Sequence, residues 1–227
     1  MSEKSVVIIP CYNAGPRLEK VLDELHVFTG PVIVVDDGST DGGTDFLKER
    51  DIQTVVFPEN RGKGHALLAG LRAALALEMV ERILLMDADG QHDPAEIEGL
   101  LAASEKEEAD LLVGARQIDR KSMPLRSHFG NMVTAWISAH IFRCPLPDTQ
   151  CGFRVLSRDF AEQFAAYSQG GRYETEMEMI LFALRQGSRL ASAPVATVYE
   201  PGNRSSHFRK IQDSFRIYRT LLRAWFQ

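Results

Sequence analysis

Ile83-Leu84-Leu85-Met86-Asp87-Ala88-Asp89-Gly90 sets an unbroken apolar run directly against two carboxylates, and Val32-Ile33-Val34-Val35-Asp36-Asp37-Gly38-Ser39 does the same earlier in the chain. Continuous rather than alternating apolar residues are the mark of strands covered on both faces, as in a parallel sheet. In such sheets ligands bind beyond the carboxyl ends of the strands. Both acidic clusters therefore fall on one binding edge.

Working outward, Val6–Pro10, Thr54–Pro58 and Leu111–Ala115 read as further strands of the same kind as Val32–Asp37 and Ile83–Asp87. Between them lie helical patterns: Leu18, Val21, Leu22 and Leu25 at helical spacing, an Ala- and Leu-rich stretch from His65 to Met79, and a helix opened by Pro94. This strand–helix rhythm predicts a mostly parallel central sheet flanked by helices and joined by right-handed crossovers, an α/β fold. The second half differs. Leu125–Phe142 and Phe208–Phe226 read as helices, Gly152–Leu156 and Leu190–Tyr199 as strands, and Tyr173–Gln186 as a helix stopped by Gly187. Asp119–Pro124 is the best candidate for a mobile loop. The domain reading is a catalytic domain over 1–202, divided into a donor half (1–118) and an acceptor half (119–202), followed by a basic C-terminal helix over 203–227.

Length and composition bound the function. With 227 residues, 44% of them hydrophobic and 25% charged, the chain fits one ordinary globular domain. A net charge of −5 excludes a general nucleic-acid binder, which carries a basic excess. Three cysteines, Cys11, Cys144 and Cys151, form no paired framework and read as reduced thiols, consistent with a cytoplasmic location. The opening apolar run is too short for a signal-peptide core, and no stretch reaches the roughly 20 apolar residues of a spanning helix.

Carboxylates gathered at strand ends repel one another unless a cation or a donor-rich ligand compensates them. Their hard oxygens select Mg2+ or Mn2+, ions that bridge phosphates. Asp41 and Asp45 read equally as helix or turn caps. Arg61-Gly62-Lys63-Gly64 precedes a helix, so its amides are placed to face a phosphate. It is not a P-loop, because the glycine spacing is wrong and His65 stands where a metal-binding Ser or Thr belongs. No dinucleotide fingerprint follows the first strand, which ends Pro10-Cys11-Tyr12-Asn13.

VVIIPCYN, VIVVDDGSTDGG, ENRGKGHALLAGL, ILLMDADGQHDP and LLVGAR, in this order, resemble the family 2 glycosyltransferases of GT-A fold. DTQCGFRVL, RYETEMEM and the stretch from Tyr199 through RSSHFR (204–209) are similar to that family's polyprenyl-phosphate branch, the dolichyl-phosphate mannose synthase-like enzymes. The resemblance implies a metal-dependent, inverting transfer from a UDP- or GDP-sugar to a lipid phosphate or another membrane-associated acceptor. It also implies roles by position. Pro10, Tyr12, Asn13, Asp36, Asp37 and Lys63 belong to the donor pocket, with Asp36 or Asp37 reading the base and Arg116 near the donor. Asp87, Asp89 and Gln91 hold the ion. Arg204 contacts phosphate, with Ser206 beside it.

Two chemical problems follow. Charge builds on the departing diphosphate, and an ion clamped by Asp89 offsets it. A hydroxyl acceptor needs a general base, whereas a phosphate, with a second pKa of about 6, is already largely ionised. Glu176 is the candidate acid near the acceptor, eleven residues before Gly187 as in hydroxyl-directed relatives, although Thr175-Glu176 replaces their Glu-Asp pair. Glu174, Glu176 and Glu178 cannot share one helical face. Arg154 is placed either to carry phosphate or to form a structural ion pair, and His92 reads as a neighbour of the metal residues rather than a ligand. Met177, Met179 and Phe182 read as core rather than lipid groove.

Rival readings are an inactive sugar-nucleotide-binding scaffold, a transferase to a soluble hydroxyl, a receiver module and a nucleotidyltransferase. The intact Asp87, Asp89 and Gln91 oppose the first of these. Two acidic clusters oppose the receiver module, and the missing Gly-rich first loop opposes the nucleotidyltransferase. Ile211, Phe215, Tyr218, Leu222 and Trp225 line one face of the predicted C-terminal helix, with Arg216, Arg219 and Arg223 beside them. That pattern suits either peripheral membrane contact or packing on the domain.

Overall fold

The computed structural model describes residues 2–116 and 144–196, together with Thr220. The expected helix Leu125–Phe142, the loop Asp119–Pro124, Tyr199, Arg204, Ser206 and the C-terminal apolar stripe lie outside the described residues.

Among the described residues seven strands form one sheet: β1 (Ser5–Cys11), β2 (Val32–Asp36), β3 (Gln53–Val56), β4 (Arg82–Leu85), β5 (Leu111–Arg116), β6 (Arg154–Ser157) and β7 (Leu190–Val195), in the order β3-β2-β1-β4-β6-β5-β7. Among the described residues the α-helices are α1 (Pro16–Glu24), α2 (Lys63–Leu75), α3 (Ile97–Lys106), α4 (Arg158–Tyr167) and α5 (Glu174–Gln186). Parallel pairing joins β1 to β2 and β4, β2 to β3, and β5 to β7. The strand read from Gly152–Leu156 is β6. It starts two residues later and runs antiparallel between β4 and β5, with Val155 opposite both Leu84 and Leu112.

Burial explains the apolar runs. Val6, Val7, Ile8 and Ile9 of central β1 are fully buried, so both faces of the strand are covered, and α2 packs against it. β3 lies at the edge, and its last residue, Val56, is 64% exposed. Pro10 is tolerated inside β1 because the ladder to β4 ends at Ile8 with Leu85, leaving no partner strand there to receive an N–H.

Helix boundaries depart from the sequence pattern for local reasons. Pro94 opens a 3-10 turn, Pro94–Glu96, and α3 begins only after it; Asp93 caps the turn by accepting the Ala95 N–H at 2.9 Å. α2 starts at Lys63 and stops at Leu75 rather than reaching Met79. Beyond its end the Arg158 guanidinium, from α4, donates to the carbonyls of Leu75 (2.7 Å), Leu77 (2.8 Å) and Val80 (3.1 Å). Those carbonyls have lost helical partners, and a buried carbonyl must find another donor. α5 ends at Gly187, whose φ of 68° is the left-handed cap expected there.

Met177, Met179 and Phe182 are buried, Phe182 against Phe160 and Phe164 of α4 at 5.7 Å each, so this face of α5 is core. Cys11, Cys144 and Cys151 are free and buried, and burial pushes the Cys151 thiol up to about 12. Among the described residues no helix is long and apolar enough to cross a membrane.

Candidate active site

The two acidic strand ends do different work. Asp36 accepts from the Ser39 N–H at 2.8 Å and the Thr44 hydroxyl at 2.6 Å, folding the loop after β2 back on itself. Asp37 accepts from the N–H groups of Arg61 (2.7 Å) and Gly62 (2.9 Å) and from the Asn60 side chain (2.9 Å). Two of the amides expected to face a phosphate, those of Arg61 and Gly62, thus face Asp37, and Gly62 holds a φ of 109° there. Burial raises the Asp37 pKa, opposed by these amide donors. Asn13, itself at a φ of 48°, donates its N–H to the Ser39 hydroxyl (2.9 Å) and accepts from the Thr40 N–H (2.8 Å), tying the loop after β1 to that after β2. Tyr12 is half-buried. Asp41 accepts from Gly43 N–H and exposed Asp45 pairs with Lys48, which are local turn contacts.

At the end of β4 the second cluster meets residues from two other elements. Lys63, the first residue of α2, places its ammonium 2.6 Å from Asp87 Oδ1 and 3.1 Å from Glu176 Oε1, with the Tyr173 ring 5.7 Å away. Burial opposes the ammonium charge, but the two carboxylates outweigh it and raise the Lys63 pKa. Burial likewise pushes Asp87 up, yet the cations around it win and hold it below the usual carboxylate range. His92 is pushed down by burial to about 4, so near neutrality those cations are Lys63 and Arg154. Asp89 is pushed up to about 6, by burial and then by the charge of Asp87, while its Oδ1 accepts the Gln91 N–H at 3.0 Å.

Close backbone approach makes this meeting possible. A Cβ at Gly64 would lie 2.0 Å from the Thr175 hydroxyl, and the Gly64 N–H donates to the Gly171 carbonyl at 3.0 Å. Only a glycine lets the start of α2 seat against the start of α5. A Cβ at Gly152 would lie 2.4 Å from Asp87 Oδ2, so the Asp87 carboxylate rests on bare backbone.

Of the three glutamates on α5, Glu176 alone reaches Lys63. Glu178 accepts from the Ser168 hydroxyl at 2.6 Å, and the Glu174 carboxyl lies against Gly171. Arg154 requires a correction. It is fully buried, and its guanidinium donates to the carbonyls of Cys151 (2.9 Å), Glu176 (2.6 Å) and Thr149 (3.1 Å). Neither the phosphate contact nor the ion pair expected of it matches this geometry; it pins the backbone of Glu176 beneath the site. Arg116, at the end of β5, makes a bidentate pair with Asp148 at 2.6 and 3.1 Å. Asp148 went unassigned in the sequence, although it opens the DTQCGFR block. His92 stacks on Phe153 at 4.9 Å with its Nδ1 buried and unpartnered.

The donor set fits a hard divalent ion. Burial and then the charge of Asp87 raise the Asp89 pKa, and a cation relieves that repulsion. Among the described residues no three His, Cys, Asp or Glu side chains gather as a closed cage. Two carboxylates completed by ligand phosphates is the usual Mg2+ arrangement.

The buried guanidinium yields a direct expectation. Arg154→Met leaves three interior carbonyls without their donor and removes a cation near Asp87, so unfolding free energy falls by about 3 kcal/mol or more in urea titration. An unchanged midpoint contradicts the pinning role.

Comparison with known proteins identifies the family and the fold. An uncharacterized protein of Methanocaldococcus jannaschii is 31% identical over 85% of this chain and 81% of its own. The UDP-N-acetylglucosamine–dolichyl-phosphate N-acetylglucosaminyltransferase of Methanococcus voltae is 27% identical over 88% of both chains. The fold matches glucosyl-3-phosphoglycerate synthase of Mycobacterium tuberculosis, crystallised with Mn2+, UDP and glucosyl-3-phosphoglycerate. The TM-score is 0.76 at 17% identity, covering 99% of this chain and 80% of that one, and the shared fold is GT-A. The family model described as Glycosyl transferase family 2 matches residues 6–165, the greater part of the chain including both acidic strand ends, and the protein belongs to that family of glycosyltransferases.

Proposed function

We propose that this glycosyltransferase moves a sugar from a nucleoside diphosphate to a lipid-linked phosphate, with inversion at the anomeric carbon. The observation that carries the reading is the Lys63 bridge, which joins Asp87 at the β4 end to Glu176 on α5. A donor-side acid and an acceptor-side acid thereby face one small volume. Support for the acceptor comes from relatives: besides the Methanococcus voltae enzyme, the dolichyl-phosphate beta-glucosyltransferase of Dictyostelium discoideum is 27% identical over 96% of this chain and 75% of its own. The former also favours a UDP-linked donor.

In this reading Pro10, Tyr12, Asn13, Asp36 and Asp37 shape the nucleoside pocket. Asp36 and Asp37 act through the loops they hold, since both are 3% exposed and hydrogen-bonded internally. Asp87, Asp89 and Gln91 would hold Mg2+ or Mn2+, which supplies Lewis-acid stabilisation of the leaving diphosphate when bound. An acceptor phosphate oxygen forms the new bond to the anomeric carbon as the bond to the diphosphate breaks, and the electron pair leaves with the diphosphate. Glu176 Oε1 is engaged by the Lys63 ammonium, and an ionised phosphate requires no base. That pairing favours a phosphate over a soluble hydroxyl as acceptor. Arg204 and Ser206 are assigned by resemblance to the acceptor phosphate. Incubation with short-chain polyprenyl phosphates and a panel of nucleotide sugars tests the reading; transfer only to soluble hydroxyls refutes it.

Two outcomes are expected at the donor site. Asp89→Asn lowers transfer below about a tenth of wild type with an unchanged melting profile, because an acid of the leaving-group clamp is lost. UDP raises the melting temperature only when Mg2+ or Mn2+ is present; equal stabilisation in excess chelator contradicts an ion-bridged diphosphate.

We also place the enzyme at the cytoplasmic face of a membrane, on the sequence pattern of its C-terminal segment. From Asn203 onward six Lys or Arg stand against one acid, Asp213, beside the stripe Ile211, Phe215, Tyr218, Leu222 and Trp225. Each surface-near cation contributes about 1 kcal/mol towards anionic lipid. Sedimentation with anionic vesicles at low salt, and release at high salt, is the expected result; absence of binding at either ionic strength rules the contact out.

A further inference from the structure

We propose that Lys63 is a positioning residue and an internal counter-ion: its ammonium holds Asp87 until the divalent ion displaces it, and it then serves the Glu176 side of the site. The inference rests on the reading of Asp87 as a metal ligand. Three observations carry it. The ammonium stands 2.6 Å from Asp87 Oδ1 and 3.1 Å from Glu176 Oε1, so a single cation is shared between an acid that would bind the ion and one that would not. Its side chain is 15% exposed, so this charge is poorly screened and repels any cation approaching Asp87. Its second resting place is already built, because Arg154 pins the Glu176 carbonyl at 2.6 Å and the Tyr173 ring lies 5.7 Å from the ammonium.

The consequence is an order of events. Before the donor loads, the Lys63 charge is divided and the acceptor side presents a carboxylate that repels a phosphate. Once the ion and the diphosphate occupy Asp87, the whole ammonium charge faces Glu176. The acceptor side becomes hospitable to an anionic headgroup only then. Lys63 thus links loading of the donor half to readiness of the acceptor half.

The test is binding of Mn2+ alone to the full chain, read from the free-ion signal by electron paramagnetic resonance, with melting curves as a check on folding. Lys63→Met should bind Mn2+ about tenfold tighter than wild type, because the resident competitor is gone. Glu176→Gln should weaken Mn2+ binding by leaving Lys63 wholly on Asp87, and this weakening should largely vanish in the Lys63→Met background. Lys63→Gln substitutes if the Met variant fails to fold. Equal or weaker Mn2+ binding by the Lys63 variant overturns the inference, as does the same Glu176→Gln effect in both backgrounds. If wild type binds Mn2+ with UDP while these affinities do not move, Lys63 alone is misassigned. If it binds no Mn2+ even with saturating UDP, the metal reading fails and this inference with it.

Discussion

One buried ammonium organises the site. Lys63 is the first residue of α2, and its position is fixed by the seat of that helix on Gly171 and Thr175. From there it reaches both Asp87 and Glu176, which no other described side chain bridges by an ion pair. Two carboxylates left unpaired at this depth would repel each other and lose solvation. The surrounding pieces serve this arrangement: Gly152 gives Asp87 room, and Arg154 fixes the backbone beneath Glu176.

The two strand-end clusters illustrate how similar sequence signals diverge in use. Asp36 and Asp37 are consumed by loop architecture, each accepting from neighbouring backbone amides. Asp87 is engaged by Lys63, while burial and then the charge of Asp87 raise the Asp89 pKa. The first pair braces the loops around the ends of β2 and β3, and the second keeps an electrostatic demand that a cation can meet.

Much of the fold was legible because its signals are local. The buried strands read as apolar runs, Gly187 read as a helix end, and Asp87 and Asp89 could be placed on the sheet edge from ILLM alone. What stayed hidden depended on contacts distant in sequence. The early end of α2 is settled by Arg158, far along the chain, and the antiparallel sense of β6 by its neighbours β4 and β5. No pattern in RGKG distinguishes amides that face a phosphate from amides that face Asp37. Arg154 looks like any basic strand residue until its three carbonyl acceptors are seen. Asp148 carried a weak signal in DTQCGFR, but its partner Arg116 stands 32 residues away.

The most direct measurement is a crystal structure of the protein with UDP and Mn2+. The account predicts diphosphate and ion at Asp87 and Asp89, with the Lys63 ammonium withdrawn from Asp87 and still in contact with Glu176. Diphosphate bound away from this edge, or Lys63 still paired to Asp87 with the ion in place, would contradict it.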